Sequence, residues 1–330
     1  MKQIKWPVWL LILLLAAAAL PAAGSAEPQL TETTKGGKVV RRAWTEDGKE
    51  VNGPEGYAYV ECSYSGTSVT EKYYTVDGQP ARTLAGYHAR TLTYGNKHRL
   101  TEIEFQDENG RRTACSAGYA RVKIGYTAKG QETTVHYYDA GNQPTVVPPL
   151  GYASIKNDYR GTTLIRRTYL DAGRNPIDIP AGYAVMIQSV NKSNQITGIR
   201  YEHADGSPAL CAEGWTACER ELDKKGRPVR LRYLDEHGAP VNIRAGYAEE
   251  RYSWESGSVY VVSRFDASGS AVPMGNGYMS VRREIDGDDR VIRESWLDAS
   301  GAAVKDGNGF SGFTYSYDGA GAVSGTTPVN

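Results

Sequence analysis

Apolar and polar residues alternate along short runs that recur through most of this chain. In one run Val122, Ile124 and Tyr126 alternate with more polar residues, and residues 229–233 repeat the same period of two. This period predicts β-strands with one buried face. Short glycine-bearing turns, such as residues 224–226, follow the first run of each pair and predict β-hairpins. No stretch past residue 26 has a convincing helical period, so we predict an all-β chain.

Nine pairs of a glycine and a following aromatic residue recur at regular steps along the chain. The steps between successive aromatic residues are 30, 32, 33, 31, 32, 32, 31 and 32 residues, which indicates a repeat protein. One hairpin is at best marginally stable alone, so neighbouring copies must stack. We therefore predict an elongated, solenoid-like stack of about nine β-hairpin repeats of 30–33 residues over residues 38–330, with partial first and last units. The nine aromatic residues are Tyr57, Tyr87, Tyr119, Tyr152, Tyr183, Trp215, Tyr247, Tyr278 and Phe310.

Each repeat is predicted to end in an Asp/Gly/Pro turn and a short third strand. Its aromatic rings are predicted to form three separate ladders, in which each ring packs on its equivalent in the next unit. The glycine-linked rings form one ladder. The first-strand ladder would contain Tyr64, Tyr94, Tyr126, Tyr159, Trp254 and Tyr317. The second-strand ladder would contain Tyr74, Phe105, Tyr138, Tyr169, Tyr201, Tyr233, Phe265 and Trp296.

Residues 1–26 are predicted to be a secretory signal peptide. Lys2 and Lys5 precede an apolar run from Val8 to Leu20, and small residues ending at Ala26 supply the cleavage region. The alternative is a membrane anchor, but the run is shorter than the roughly 18 residues expected of a span. Residues 27–37 are polar and without periodicity, so we expect a flexible lead-in. The mature protein is therefore expected to be secreted or held at the cell surface.

Charge argues against a polyanionic partner for the protein as a whole. The full chain has 38 Lys+Arg and 38 Asp+Glu, so removal of Lys2 and Lys5 leaves 36 against 38 and a net charge near −2. That balance is not the footprint of a protein that binds nucleic acid or an anionic membrane.

The sequence offers no convincing catalytic or metal-binding constellation. Its five histidines are scattered over different repeat positions without the spacing of metal ligands. Most Asp residues fall in turns, and residues 286–289 and 306–308 do not complete a calcium loop. A glycosidase would need two carboxylates in a cleft, and no pair stands out from the repeat. We predict a protein that is not an enzyme and uses no cofactor or metal.

The glycine-linked aromatic residues have two interpretations. They are packing rings, or a subset stacks on sugar rings while its hydroxyls serve as polar handles. The presence of a hydroxyl on nearly every ring favours partial exposure. The candidate ligand-binding residues are Tyr119, Tyr152, Tyr183, Trp215, Tyr247 and Tyr278.

Two of the four cysteines, Cys211 and Cys218, lie close together in the sequence of a chain predicted to be exported. They could form a disulfide if the chain turns between them. If it runs straight, they lie beyond the ~7 Å Cα separation that a disulfide spans.

Three segments resemble the repeats of bacterial cell-surface proteins: KYYTVDGQP (72–80), VHYYDAGNQP (135–144) and LRYLDEHGAPV (231–241). They are similar to the aromatic–Asp–Gly hairpins of glucan-binding and choline-binding cell-wall repeats. The resemblance extends over residues 38–330 and implies binding of a glycan or wall polymer. TYSYDGAGAV (314–323) also resembles a YD repeat of the RHS type. We therefore expect a non-catalytic module that binds cell-wall polysaccharide or glucan, or else a structural or adhesive spacer that binds protein.

Overall fold

The computed structural model describes residues 28–275 and 277–330, so the predicted signal peptide lies outside the described residues. No helix in those two ranges is long and apolar enough to cross a membrane. The first eleven strands are β1 Gln29–Lys35, β2 Lys38–Glu46, β3 Lys49–Glu50, β4 Tyr59–Ser65, β5 Ser68–Tyr74, β6 Ala89–Tyr94, β7 Leu100–Gln106, β8 Arg121–Tyr126, β9 Glu132–Tyr138, β10 Ser154–Arg160 and β11 Thr163–Leu170. A short 3-10 helix, Asn96–His98, joins β6 and β7.

The remaining strands follow the same order of long hairpins and short connections. They are β12 Val185–Val190, β13 Ile196–Glu202, β14 Ala217–Leu222, β15 Pro228–Leu234, β16 Glu249–Trp254, β17 Val259–Phe265, β18 Ala271–Val272, β19 Ser280–Ile285, β20 Val291–Leu297, β21 Gly312–Tyr317 and β22 Val323–Val329. The predicted all-β stack of hairpins is thus confirmed. It begins earlier than predicted, because residues 29–35 of the expected flexible lead-in form β1, which pairs antiparallel with β2.

The chain forms two compact units. The first contains residues 28–158 and 167–180, and the second contains residues 159–166, 181–275 and 277–330. In the first unit each long strand from β1 to β10 pairs antiparallel with the next, and β3 adds two residue pairs to the end of β2. In the second unit the same pattern runs from β12 to β22, with β18 paired to the end of β17.

Alternation along the strands gives each sheet two different faces. Val122 is 5% exposed and Ile124 is 7% exposed, whereas Lys123 between them lies on the opposite face beside His136. We call the side of Val122 and Ile124 the ladder face and the side of Lys123 and His136 the polar face. Successive strand residues point to opposite faces, so the sequence pattern is enough to place the core on one side.

The predicted third strand is shorter than expected in most repeats. It forms two-residue strands only at β3 and β18 among the described residues, and elsewhere it is a single bridge such as Tyr74 with Pro80. Proline has no N–H to extend such pairing. The next residue, Ala81, donates its N–H to the carbonyl of Tyr73 at 2.9 Å, and the chain then turns toward the next glycine-linked ring.

Aspartate and glycine shape the turns as predicted. In the turn after β15, a carboxylate oxygen of Asp235 accepts the backbone N–H groups of His237 at 2.9 Å and Ala239 at 2.8 Å. Gly238 in the same turn has a φ of 78°, a conformation that costs glycine little. Equivalent carboxylate bonds recur at Asp139, Asp171, Asp223, Asp266, Asp286, Asp298 and Asp318.

Candidate functional site

The glycine-linked rings and the second-strand rings alternate in a shared ladder, rather than forming two separate ones. In the first unit Tyr73 lies between Tyr57 and Tyr87, with ring centroids 4.8 and 5.8 Å away. Repeats are two strands wide, about 9.6 Å, so equivalent rings are too far apart to touch directly. The prediction that each ring packs on its equivalent was therefore wrong. The first-unit ladder continues through Phe105, Tyr119, Tyr137, Tyr152 and Tyr169.

The structure also corrects three positions of the predicted second-strand ladder, namely Tyr74, Tyr138 and Phe265. Tyr73 and Tyr137 occupy the ladder, while Tyr74 and Tyr138 lie on the polar face. A slip of one residue reverses the face in a strand, so a Tyr-Tyr pair leaves the choice open from sequence.

In the repeat that contains β17, Arg264 takes the ladder position and Phe265 faces the other way. The guanidinium of Arg264 lies 4.2 Å from the ring centre of Tyr247 and pairs with Glu250 at 3.0 Å. Arg251 stacks on Phe265 at 3.8 Å. In the second unit, the aromatic run from Tyr183 to Tyr247 thus ends at the charged pair of Arg264 and Glu250. A separate run contains Tyr278, Trp296 and Phe313.

The six candidate ligand-binding rings all lie in these ladders. Trp215 and Tyr247 are buried, and the other four are half-buried. Neighbouring rings cover Tyr119 on both sides, at 5.7 and 4.9 Å, and burial raises the pKa of its hydroxyl. A ligand could reach the edges of the half-buried rings more readily than their faces. Contact with a ligand stays a prediction for Tyr119, Tyr152, Tyr183, Trp215, Tyr247 and Tyr278.

The first-strand rings are tied to the preceding hairpin through polar atoms. The hydroxyl of Tyr126 donates to the carbonyl of Leu100 at 2.8 Å, and the hydroxyl of Tyr317 donates to that of Val291 at 2.7 Å. We call such a bond a staple. Two further staples join Tyr64 to Val39 and the indole N–H of Trp254 to Pro228, each at 2.8 Å. These hydroxyls thus have partners inside the protein, which the sequence interpretation did not foresee.

A cation covers each stapled ring. Arg227 lies over Trp254 at 4.5 Å and Arg290 over Tyr317 at 4.9 Å. The cation precedes its ring by 26 or 27 residues, and this spacing could have been found in the sequence. The other two pairs are Lys38 with Tyr64 and Arg99 with Tyr126.

A charged cluster is buried in the ladder face of the first unit. Glu71 is 4% exposed and contacts Arg90 at 2.5 Å and Arg42 at 3.2 Å. The hydroxyl of Tyr73 donates to the same carboxylate at 2.9 Å. Burial opposes ionisation of Glu71, but the charge and hydrogen bond of Arg90 outweigh it and hold the pKa below its usual value. No pattern in the sequence indicates this cluster.

Cross-strand ion pairs cover much of the polar face. Arg121 pairs with Glu102 at 2.7 Å in the first unit, and Arg232 pairs with Glu219 at 2.9 Å in the second. Each such surface pair contributes roughly 0–1 kcal/mol. The face is therefore charged and polar, and its more exposed side chains, such as that of Glu219, can exchange partners with a ligand at little cost.

All four cysteines are free thiols in the structure. The chain turns at Cys211, whose carbonyl accepts the N–H of Gly214 at 2.9 Å. Cys211 packs against the apolar cluster that contains Cys218, and burial raises the pKa of the Cys218 thiol to about 11. A disulfide between the two stays a prediction. Within the described ranges, no group of three His, Cys, Asp or Glu side chains could hold a metal ion.

Comparisons with known proteins give only structural matches of low sequence identity. No protein-family model and no curated protein matches it. Among solved structures, the Tc holotoxin pore of Photorhabdus luminescens is 11% identical with a TM-score of 0.22, over 91% of this chain and 18% of that one. The TcdB2–TccC3–Cdc42 crystal structure is 10% identical with a TM-score of 0.21, over 92% and 18%. A eukaryotic initiation factor is 10% identical with a TM-score of 0.21, over 82% and 85%.

This chain thus spans 18% of the length of the two toxin chains.

Proposed function

We propose that this protein is a non-catalytic, secreted or cell-surface module that binds carbohydrate or a cell-wall polymer. The observation that supports the proposal is the polar face of each unit. Every hairpin contributes equivalent positions to that face, so a ligand would meet side chains at a regular spacing from one repeat to the next. An extended polymer with a repeating structure matches such a surface better than a small molecule does.

The chemistry of the polar face suits a sugar polymer. Paired Arg and Glu side chains supply donors and acceptors for hydroxyl groups, and water competes for each pair, so exchange costs little. Aromatic rings on the same face offer flat apolar surfaces. Tyr59 and Tyr74 are stacked at 5.1 Å, and Arg41 lies 3.9 Å from the ring centre of Tyr59. Tyr138 and Phe265 are the equivalent rings of other repeats.

Repetition would turn weak contacts into useful affinity. Linked sites that engage one polymer together gain roughly 10²–10⁴ over a single site where their spacing matches the ligand. We therefore expect the whole mature chain to bind a polysaccharide much more tightly than its monosaccharide.

A sedimentation assay tests the proposal. The mature chain is mixed with insoluble cell-wall or glucan material, and the bound fraction is measured with and without added sodium chloride. We expect binding that depends little on salt, because the net charge is small. Tyr74→Ala, Tyr138→Ala and Phe265→Ala together should lower the affinity at least tenfold. The matched control replaces Leu84, Val146 and Leu210 by Ala, since these exposed apolar side chains lie in loops outside the strands.

The second candidate function is a structural or adhesive spacer that binds protein. The exposed side chains of Leu84 and Leu210, 62% and 54% accessible, favour it because they offer apolar contacts to a protein partner. If no polysaccharide sediments the chain while a protein partner binds it, and the loop variant loses that protein partner, the spacer function replaces the carbohydrate proposal.

A further inference from the structure

A small notch opens on the polar face of the first unit, between strands β9 and β10 and the turn that follows β11. Its volume is about 10 Å³, room for about one water molecule or one ligand oxygen. The rest of a larger ligand would stay in solvent. The lining residues that matter here are His136, Tyr138, Ser154, Asp171 and Arg174.

The notch exists because two residues differ from the preceding repeat. After the shared Gly-Tyr-Ala sequence, the preceding repeat has Arg121 where this one has Ser154. In the turn, the preceding repeat has Asn142 where this one has Arg174. Arg121 donates to the side-chain oxygen of Asn142 at 2.7 Å and fills that site. The small Ser154 leaves the equivalent space empty, and Arg174 lines the edge of that space instead.

Two cations act on the notch: Arg174 lines it, and Lys123 pairs across the strands with His136. Arg174 has no ion pair among the residues that the structure describes, and Lys123 has only a long contact of 3.9 Å with Glu102. The one carboxylate in the lining, Asp171, is engaged by the backbone N–H of Asn175 at 2.8 Å. Burial, and then the charges of Arg174 and Lys123, lower the pKa of His136. The imidazole therefore experiences a positive potential that a bound anion would relieve.

We propose that this notch binds a phosphate-type oxyanion, either as the free ion or as a group carried by a polymer. One anion oxygen enters the notch and accepts hydrogen bonds from the hydroxyl of Ser154 and the ring N–H of His136. The guanidinium of Arg174 holds the outer oxygens, a pairing that its planar fork favours. The carboxylate of Asp171 keeps its hydrogen bond from Asn175 within its own turn. The site is independent of carbohydrate binding at the other repeats.

Nuclear magnetic resonance tests the site on the whole mature chain. Inorganic phosphate is titrated against sodium chloride at equal ionic strength, from about pH 6 to 8 around the usual histidine pKa. We expect saturable shifts in the signals of His136, Ser154 and Arg174. We also expect a higher pKa of His136 in phosphate than in chloride, because the anion favours the imidazolium.

One variant and a matched control distinguish phosphate binding in the notch from a general attraction of phosphate to positive charge. Arg174→Asn removes the cation and keeps the turn, since Asn142 adopts a φ of 64° at the equivalent position against 68° for Arg174. It should weaken phosphate binding at least tenfold. Arg111→Asn removes an exposed arginine from the turn two repeats earlier and should leave binding unchanged. An oligomer of glycerol phosphate that binds more tightly than inorganic phosphate would identify a polymer-borne group, and equal binding would identify the free ion.

Two outcomes overturn the site: phosphate shifts that never saturate in the natural chain, or equal phosphate affinity in the Arg174→Asn variant. Either outcome leaves the polysaccharide proposal intact, because sedimentation with uncharged glucan does not depend on the cation at Arg174, although Tyr138 lines the notch and also belongs to the proposed carbohydrate surface. Conversely, if the chain binds no polysaccharide, the phosphate titration still decides whether the notch binds an oxyanion.

Discussion

The hydroxyl of Tyr126 donates a hydrogen bond of 2.8 Å to the carbonyl of Leu100, the first residue of β7. Tyr126 ends β8, and the backbone pairing of β8 with β7 covers only three residue pairs, from Glu102 with Lys123 to Glu104 with Arg121. The bond therefore joins two neighbouring hairpins beyond the point where their backbone pairing stops. It adds a connection at the turn end of the hairpin, where the backbones of β7 and β8 do not pair.

Removal of this hydroxyl should destabilise the first unit. Tyr126→Phe keeps the ring and its contact with Arg99 but leaves the carbonyl of Leu100 without its donor. We expect the free energy of unfolding in urea to fall by about 1 kcal/mol, the net value of such a hydrogen bond. Tyr74→Phe is the control, because no hydrogen bond of its hydroxyl is present within the described part of the chain. Equal losses in the two variants would mean that the Tyr126 bond contributes nothing.

Adjacent tyrosines in β9 should differ sharply in their contribution to stability. Tyr137 is 8% exposed and lies between Tyr119 and Tyr152, at 4.9 and 6.1 Å. Tyr137→Ala should therefore cost roughly 3–5 kcal/mol, as large aromatic truncations in a core do. Tyr138→Ala, on the polar face, should cost less than about 1 kcal/mol. Thermal and urea denaturation measure both, and a larger loss for Tyr138 would reverse the assignment of the faces.

The buried carboxylate of Glu71 should make stability depend on pH. Its pKa is lowered in the folded state, so its ionised form stabilises the fold above the unfolded value of about 4.3. That stabilisation is lost as the pH falls below this value and through the folded pKa. Glu71→Gln should cost roughly 3–5 kcal/mol at pH 7, because Arg90 is left without its partner.

Urea denaturation at pH 7 and at about pH 3.5 checks this prediction. The difference between the natural chain and Glu71→Gln should shrink at the lower pH. Glu61→Gln, an exposed change on the polar face, should lower stability little at either pH. A difference for Glu71→Gln that does not change with pH would show that the carboxylate is not the titrating group.

Alanine substitutions at two glycines should distinguish the energetic cost of backbone strain from the cost of crowding by the added Cβ. Gly110 has a φ of 75° with nothing within 4 Å of an added Cβ, so Gly110→Ala should cost roughly 1–2 kcal/mol from its backbone alone. Gly118 has a φ of 93°, and an added Cβ would lie 3.0 Å from the ring of Pro148. Gly118→Ala should therefore cost more than Gly110→Ala in the same urea assay. The reverse order would mean that the Pro148 ring moves aside freely.

The sequence predicted the parts of the fold that depend on local chemistry. The regular spacing of Gly-aromatic pairs identified the repeat, and the Asp and Gly residues identified the turns, because each acts within a few residues of itself. It could not decide between Tyr137 and Tyr138, since neighbouring strand positions differ only in the face they occupy. It also placed Phe265 in the ladder, where Arg264 and Glu250 form a charged pair instead.

Features that depend on contacts across repeats were the hardest to predict. Glu71 and Arg90 are 19 residues apart, and each looks like an ordinary solvent-exposed charge in the sequence. The notch requires Ser154 and Arg174 to meet on one face, although they lie in a strand and a distant turn. Only the staples had a usable signal, namely a basic residue 26 or 27 positions before an aromatic one.

Each staple ends on a main-chain carbonyl, at Leu100, Val291, Val39 or Pro228, so its acceptor does not depend on the identity of the preceding side chain. The hydrogen bond of a tyrosine or tryptophan at the donor position therefore needs no compensating change in the preceding copy, and only the cation over the ring depends on a side chain there. Gene duplication or unequal recombination that adds or removes whole copies would then preserve the joints between copies. Related chains should differ in copy number more readily than in the length of any one copy.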